Sequence, residues 1–477
     1  MTGIRNYPIF LANQALKTKK TLDVSDKYTQ QVFAKVGLAD QAVLQQAIHA
    51  AVGAESAMAA LKPFEKQAIL LHCVKRFTER HDELVKILIQ EGGKPINLAK
   101  AEVQRLINTF QLAADAVTQV DDGRMIPLAV TPAAASYRGM VKRVPVGAVS
   151  LISPFNFPFN LTAHKIAPAI AAGCPFILKP ASLTPISAII IGEILAETNL
   201  PQGAFSILPA SREAADLLVT DDRLKLLSFT GSDKVGWDMK ARAGRKKVTL
   251  ELGGNAAVMI EPETEITDAL IDRLIGAGYG HAGQVCISVQ RLLVHKDIYT
   301  DVKKAFVKKL KDLKAADPNL TTTLTGPMIK HDEAVRLKKW VDKAVKKGAK
   351  VLIGNELDGV LFHPTLLENV PPECEIYKDE AFGPVVIIEK YQNFEDGLAK
   401  INASRFGLQA GIYTQNLNYM LKAWDELHVG GVIINDVPTF RVDNMPYGGV
   451  KDSGLGREGI QSAIADMQEE RVLVIKY

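Results

Sequence analysis

The stretch LKLLSFTGSDKVGWDMKARAGRKKVTLELGGN, residues 224–255, decides the fold. An apolar run, Leu224 to Phe229, passes through Thr230-Gly231-Ser232 into a segment with helical spacing, Asp233 to Ala243, and returns as a second apolar run, Lys247 to Leu252. A strand, a helix and a strand packed into roughly thirty residues form a right-handed crossover, the unit of a parallel sheet covered by helices.

The alternation extends in both directions. Upstream lie strand Ala148 to Ser153, helix Leu161 to Ala172, strand Phe176 to Lys179, helix Ser187 to Glu197, strand Ala204 to Leu208 and helix Arg212 to Val219. Downstream, from Asn255 to about Asn435, helices are expected near 265–280, 298–314, 330–347 and 394–403, with strands near 288–295, 385–390, 409–414 and 431–435. The fold class is α/β, with two doubly wound parallel-sheet domains. Ligands of such sheets bind beyond the carboxyl ends of the strands, so the cleft between the domains is the expected site.

Before this core the pattern is three amphipathic helices: Asp40 to Ala60, one opened by Pro63 and closed by Gly92-Gly93, and Ile96 to Val120. Pro in a first turn and Gly after a last turn are the expected punctuation. Residues 123–147 alternate in the manner of a hairpin, and the final Arg471 to Tyr477 reads as a strand without a partner nearby in sequence. An unpaired edge invites pairing with another chain.

A chain of 477 residues is too long for one core. Hydrophobic content of 47%, charged content of 23% and a net charge of +4 belong to an ordinary globular protein. The Lys-rich segment Lys303 to Lys314 has helical spacing and reads as a solvated face, so no nucleic-acid partner is expected. Cysteines at 73, 174, 286 and 374 are scattered without a CxxC pair, which argues against a zinc site and a disulfide framework. With no apolar run of membrane-spanning length and no leader-like start, a cytoplasmic protein without a membrane partner is expected.

Two residues stand out chemically. Glu251 sits where an apolar strand runs into Gly253-Gly254, and burial there would raise its pKa into the range of a general base. Cys286 lies in the small-residue loop Gly280-His281-Ala282-Gly283-Gln284-Val285-Cys286, which gives a thiol access to substrate. The separation, 286 − 251 = 35 residues, fits one intervening helix. A free Cys is more often a packing residue, so neither position decides the matter alone.

Together, Glu251-Leu252-Gly253-Gly254-Asn255 and Gly283-Gln284-Val285-Cys286 resemble the aldehyde dehydrogenase superfamily, from about residue 30 to the end. Phe440-Arg441-Val442-Asp443-Asn444-Met445-Pro446 and Phe155-Asn156-Phe157-Pro158 are similar to the branch of lactaldehyde and non-phosphorylating glyceraldehyde-phosphate dehydrogenases. The resemblance implies Cys286 as nucleophile, Glu251 as the base that activates water, and Asn156 as an oxyanion donor beside the Cys286 N–H.

It also implies an NAD(P) site. Segment 228–232, with Gly231 and Ser232 at a helix start, would hold the pyrophosphate, although Ser at that place is also an ordinary N-cap. Ile152 and Phe155 belong to the strand end and aromatic turn beside it, Phe155 standing where the family commonly has Trp. Lys179 would contact the adenosine ribose, Glu380 the nicotinamide ribose, and Phe382 would pack near the nicotinamide. The family's usual Glu three residues after the Lys is here Ser182. A neutral Ser182, with Lys179 and Arg212 nearby, favours NADP over NAD.

Arg105 and His164 are the expected substrate contacts, suiting a short polar or anionic aldehyde of the lactaldehyde or succinic semialdehyde type. A coenzyme-A-acylating relative would not need Glu251, and a non-catalytic protein on the same fold would need none of the three catalytic groups. The implied domains are 1–122 and 144–252 for the cofactor, with a return loop 446–461; 253–445 for catalysis; and 123–143 with 462–477 as an arm that builds homodimers or homotetramers.

Overall fold

The computed structural model describes residues 4–119 and 123–477. The two strands of the stretch 224–255 lie second and third in the largest sheet, which has eight strands. Its parallel strands run in the spatial order Lys247–Glu251, Leu226–Thr230, Val149–Ile152, Phe176–Lys179, Phe205–Ile207. Winding therefore reverses between Val149–Ile152 and Leu226–Thr230, and a crevice opens past the carboxyl ends of that pair. Val149–Ile152 is buried along its whole length, as expected of a strand with helices over both faces. Helix Asn160–Ala172, buried on every side, and helix Ile186–Ala196 supply part of that cover.

A second sheet orders Lys350–Ile353, Thr365–Glu368, Val385–Tyr391, Val289–His295, Ala256–Ile260, Gln409–Tyr413 and Gly431–Ile434. All its pairings are parallel except the first. Glu251 ends a strand of the first sheet and Ala256 begins one of the second, so the Gly253-Gly254 turn joins the two.

The third sheet stands apart. Arg124–Ile126 and Tyr137–Pro145 form the expected hairpin, and the terminal strand Gln468–Lys476 pairs antiparallel with Tyr137–Pro145 from Gln468↔Pro145 to Lys476↔Tyr137. Among the described residues the far edge of Gln468–Lys476 pairs with nothing.

Several expectations are corrected. Asp40 to Ala60 is two helices, Gln41–Gly53 and Glu55–Ala60, the first capped by the Asp40 side chain on the Val43 N–H. Pro63 to Gly92 is also two, Pro63–Glu79 and His81–Gly92, broken at Arg80, whose guanidinium is tied to Glu83 and Glu193. The second of them ends as expected on a left-handed Gly93. The third, Ile96–Val117, stops short of Val120, which lies outside the described residues. Arg212 precedes rather than opens a helix: only a short turn, Ala214–Asp216, and Leu217–Thr220 follow. Not expected at all were the N-terminal strands Arg5–Tyr7, Thr21–Ser25 and Val32–Gly37, a small sheet of their own, and Ile9–Leu11 with Gln14–Leu16, which extend the first sheet. Strands this short show too few alternations to be read from pattern. Among the described residues no helix is long and apolar enough to cross a membrane.

Candidate active site

A cleft of about 1170 Å³ opens beyond the carboxyl ends of the first sheet, facing the second. Its lining includes Ile152, Phe155, Asn156, Lys179, Ser182, Arg212, Gly231, Ser232, Glu251, Cys286, Glu380 and Phe382, so residues far apart in sequence meet in one place. The volume exceeds the roughly 300–1,000 Å³ of ordinary ligand pockets, and fits a dinucleotide with a second small molecule.

The cysteine loop is wound the unusual way. His281, Ala282 and Gly283 have φ of 52°, 54° and 63° in succession, left-handed values that only Gly takes without cost. That coil turns the chain back so that Cys286 meets the Gly253-Gly254 turn: a Cβ on Gly254 would overlap the Cys286 carbonyl oxygen. Cys286 keeps some exposure to the cleft, yet burial pushes its thiol up to about 12. The opposing influence is the phenol of Tyr447, whose oxygen lies 3.1 Å from Sγ.

Glu251 reaches the cleft from the strand end. Both carboxylate oxygens are buried without a hydrogen-bond partner, and its Oε1 packs against Gly448 of the return loop. Burial first, and the Glu458 charge second, raise its pKa well above the usual carboxylate value. Glu458 is its opposite. Burial would raise it too, but Lys165 and Arg441 outweigh that and bring it to about 2. Lys165 Nζ donates to Glu458 Oε1 at 3.2 Å and Arg441 Nη2 to Glu458 Oε2 at 3.1 Å. Two adjacent carboxyls are thus pushed in opposite directions, Glu251 toward the neutral form and Glu458 toward the anion.

Asn156 donates from Nδ2 to the Gln284 carbonyl at 2.9 Å, two residues before the cysteine, which leaves its second N–H for a ligand. The turn that carries it is clamped from behind. Lys94 Nζ donates to the Asn156 carbonyl at 2.7 Å, lies 3.6 Å over the Phe157 ring, and forms a buried ion pair with Glu102. Glu102 Oε1 in turn accepts the Phe159 and Asn160 N–H groups. Phe155 and Phe382 meet edge to face, with centroids 5.7 Å apart.

At the other end, strand Leu226–Thr230 runs into helix Asp233–Arg242. Ser232 sits at the N-cap, but its side chain makes no capping bond, so the first N–H groups stay open to an anion. The Gly231 N–H donates to the Glu251 carbonyl at 3.0 Å, fixing this turn to the strand that ends at Glu251. Burial, then the Arg212 charge, lower Lys179 to about 8. A site with two cations, a neutral Ser182 and an open helix N-terminus fits a phosphorylated dinucleotide. Glu380 accepts the Gly254 N–H at 2.9 Å, and burial raises it to about 8.

Arg105 and His164 do not line this cleft. They converge on Asp443: His164 Nε2 lies 2.8 Å and Arg105 Nη2 2.6 Å from Oδ1. His164 is fully buried, and burial together with Arg441 lowers its pKa. Burial favours a neutral Asp443, but His164 and Arg105 overcome that and hold it below the ordinary range. Six residues next to the predicted ones went unassigned: Lys94, Glu102, Lys165, Arg441, Tyr447 and Glu458. Arg441 and Tyr447 stand in the segments 440–446 and 446–454 that already carried the resemblance; nothing local marks the other four.

The winding of the first sheet and the chemistry at its carboxyl ends define an oxidoreductase in which a thiol and a dinucleotide share one crevice. The model of the aldehyde dehydrogenase family matches residues 14–473, and the chain belongs to that family. The activity is NAD(P)-dependent oxidation of an aldehyde. The chain is 38% identical to a 3-sulfolactaldehyde dehydrogenase of Priestia aryabhattai over 100% of its own length and 99% of the relative's. Aldehyde dehydrogenase 21 of Physcomitrella patens, solved in complex with the reaction product succinate, is 48% identical with a TM-score of 0.98, covering 100% of this chain and 99% of that one. Glyceraldehyde-3-phosphate dehydrogenase GapN of Methanocaldococcus jannaschii, solved with NADP, is 37% identical with a TM-score of 0.91, covering 96% and 100%.

Proposed function

We propose that Cys286 is the nucleophile, Glu251 the base and Asn156 the oxyanion donor in oxidation of a short anionic or hydroxylated aldehyde to its carboxylic acid, with NADP preferred over NAD. The observation that carries this is the meeting of all three residues with Lys179, Ser182 and Arg212 in one cleft. Cys286 adds as thiolate to the aldehyde carbon, and the oxyanion rests on the free Asn156 N–H and the Cys286 backbone N–H. Donors of this kind lower a barrier by about 2.7–4 kcal/mol each. Bound NADP or NAD supplies the acceptor for the hydride that the adduct loses in becoming a thioester. Glu251 then takes a proton from water, which hydrolyses the thioester.

The substrate class rests on charge. Lys165 and Arg441 share the single Glu458 carboxylate, which leaves an excess of positive charge behind Glu251 and Cys286, and Arg441 acts on both. An aldehyde with a carboxylate or sulfonate tail would neutralise this excess. Similarity to an enzyme named for sulfolactaldehyde and to one solved with succinate supports the same class. Lys179 and Arg212 support the cofactor preference, as does similarity to an enzyme solved with NADP.

The remaining assignments follow from the same reading. Residues 1–122 and 144–252 with loop 446–461 bind cofactor, 253–445 carry the nucleophile, and 123–143 with 462–477 are the oligomerisation arm; residues 1–3 and 120–122 lie outside the described residues. Val472, Leu473, Val474 and Ile475 are all exposed on an edge strand whose far side is unpaired among the described residues, which supports a homodimer or homotetramer. Four free cysteines support a reducing, cytoplasmic setting.

The test is a panel of succinic semialdehyde, lactaldehyde and hexanal with both cofactors. Succinic semialdehyde with NADP is expected to give the highest kcat/KM, Cys286→Ala no turnover, and Glu251→Gln a single burst of reduced cofactor. Steady turnover by Cys286→Ala, or a preference for hexanal, overturns the corresponding part.

A further inference from the structure

We propose that Tyr447 is a further catalytic residue: its phenolic O–H donates to the Cys286 sulfur and holds it as thiolate, both when the sulfur attacks and when it leaves. This rests on the reading of Cys286 as nucleophile. The contact is direct, 3.1 Å from the phenolic oxygen to Sγ, and it is the hydrogen bond the phenol makes among the described residues.

The donor is fixed in place. Tyr447 is 3% exposed and packs with Ile287 and Leu408 around the cysteine. Its N–H donates to the Glu458 carbonyl at 3.0 Å and its carbonyl accepts from the Glu458 N–H at 2.6 Å, which holds the backbone, while the surrounding side chains confine the ring. Arg441 lies 3.7 Å over the ring on its open face. A guanidinium at that place draws electron density from the ring and polarises the O–H bond, which makes the phenol a stronger donor. Burial, with the nearby Cys286, also raises Tyr447 well above the ordinary phenol range, so the proton stays on oxygen and is available to donate.

The need for a donor is evident from the sulfur's surroundings. Burial disfavours the thiolate more than the Arg441 charge favours it, and among the described residues no cation is hydrogen-bonded to Sγ. In the attack step the S–H bond breaks, its proton leaves to solvent through the cleft to which Cys286 is partly exposed, and the sulfur pair forms the S–C bond. Tyr447 keeps its own proton throughout. In deacylation the S–C bond breaks, the electron pair returns to sulfur, and the same O–H receives it. A hydrogen bond to a charged acceptor at this strength shifts a thiol pKa by about one unit or more, a tenfold change in thiolate fraction.

The test is the pH dependence of Cys286 alkylation by iodoacetamide in Tyr447→Phe, followed by peptide mass spectrometry. Cys73, Cys174 and Cys374 are buried, so the fast reaction reports Cys286. The midpoint is expected to rise by about one pH unit and the rate near neutrality to fall about tenfold, with the melting temperature little changed. A midpoint equal to wild type overturns the proposal. Should Tyr447→Phe fail to fold, 3-fluorotyrosine placed at 447 keeps the shape and strengthens the donor. Faster alkylation near neutrality then supports the proposal, and an unchanged rate overturns it. If wild type alkylated at Cys286 still turns over, the nucleophile reading falls, and this proposal with it.

Discussion

Lys94 Nζ donates to the backbone carbonyl of Asn156 at 2.7 Å, from a turn 62 residues earlier in the chain. The ion-pair partner, Glu102, holds the Phe159 and Asn160 N–H groups, so one buried pair grips both sides of the turn that aims the Asn156 amide. Removing one member leaves the other charged and unsatisfied, which costs about 3–5 kcal/mol of stability. Lys94→Met should therefore melt well below wild type. Adding Glu102→Gln should restore much of that stability without restoring turnover, since the carbonyl of Asn156 still has no donor behind it. Calorimetry and kcat measured on the single and double variants check this; recovery of full kcat in the double variant would sink the positioning role.

As the proposed base Glu251 can act only when ionised, and burial with the Glu458 charge raises its pKa. For a carboxylic acid with a raised pKa the ionised fraction grows with pH, so turnover limited by hydrolysis should climb through a midpoint well above the ordinary carboxylate range. Glu458→Gln removes the neighbouring anion and leaves Lys165 and Arg441 unbalanced, and both changes favour the Glu251 anion. The rising limb should then move to lower pH. The measurement is a pH profile of kcat in wild type and Glu458→Gln, and an upward shift would count against the assignment of the base.

What could be read from the chain was local. The parallel strands are continuous apolar runs, and the segments around Glu251 and Cys286 carry their glycines within a few positions, so the sheet and the place of these two residues in one cleft were legible. The left-handed coil at His281 and Ala282 was not, because neither residue type favours that conformation and the close approaches of its loop, Cys286 to Gly254 and Gly283 to Gly383, are made by segments distant in sequence. Lys94 and Glu102 looked like ordinary charges near a helix start; their meaning lies in partners 62 and 57 residues away. His164 and Arg105 depended on helical register. One buries itself on Asp443 and the other pairs with the same carboxylate, a connection across 279 and 338 residues that no local pattern records.

The arm offers a test that leaves the active site alone. Val472 and Val474 are 54% and 52% exposed on the terminal edge strand, and alternate positions face one side of the sheet. A charge at both, Val472→Asp with Val474→Asp, should shift the mass in solution toward the monomer, because a buried carboxylate in an interface has no partner there. The fold of each chain should persist. Light scattering after gel filtration reads the mass, and an unchanged oligomer places the interface elsewhere.

The cofactor end gives a prediction with two readouts. Lys179 is lowered to about 8 by burial and by Arg212, so the free enzyme loses a positive charge as pH rises through that value. A 2′-phosphate feels this loss and a ribose hydroxyl does not, so the KM for NADP should rise above about pH 8 while that for NAD stays nearly level. Ser182→Glu should act in the same direction at every pH, since a carboxylate repels the phosphate and accepts hydrogen bonds from the ribose. NADP should lose about tenfold or more in kcat/KM, a difference of about 1.4 kcal/mol, and NAD should gain or hold. Steady-state kinetics with both cofactors across the pH range decide it. A wild type indifferent to the 2′-phosphate, or a Ser182→Glu variant that still favours NADP, would mean that Lys179 and Arg212 serve the ribose and the fold rather than the phosphate.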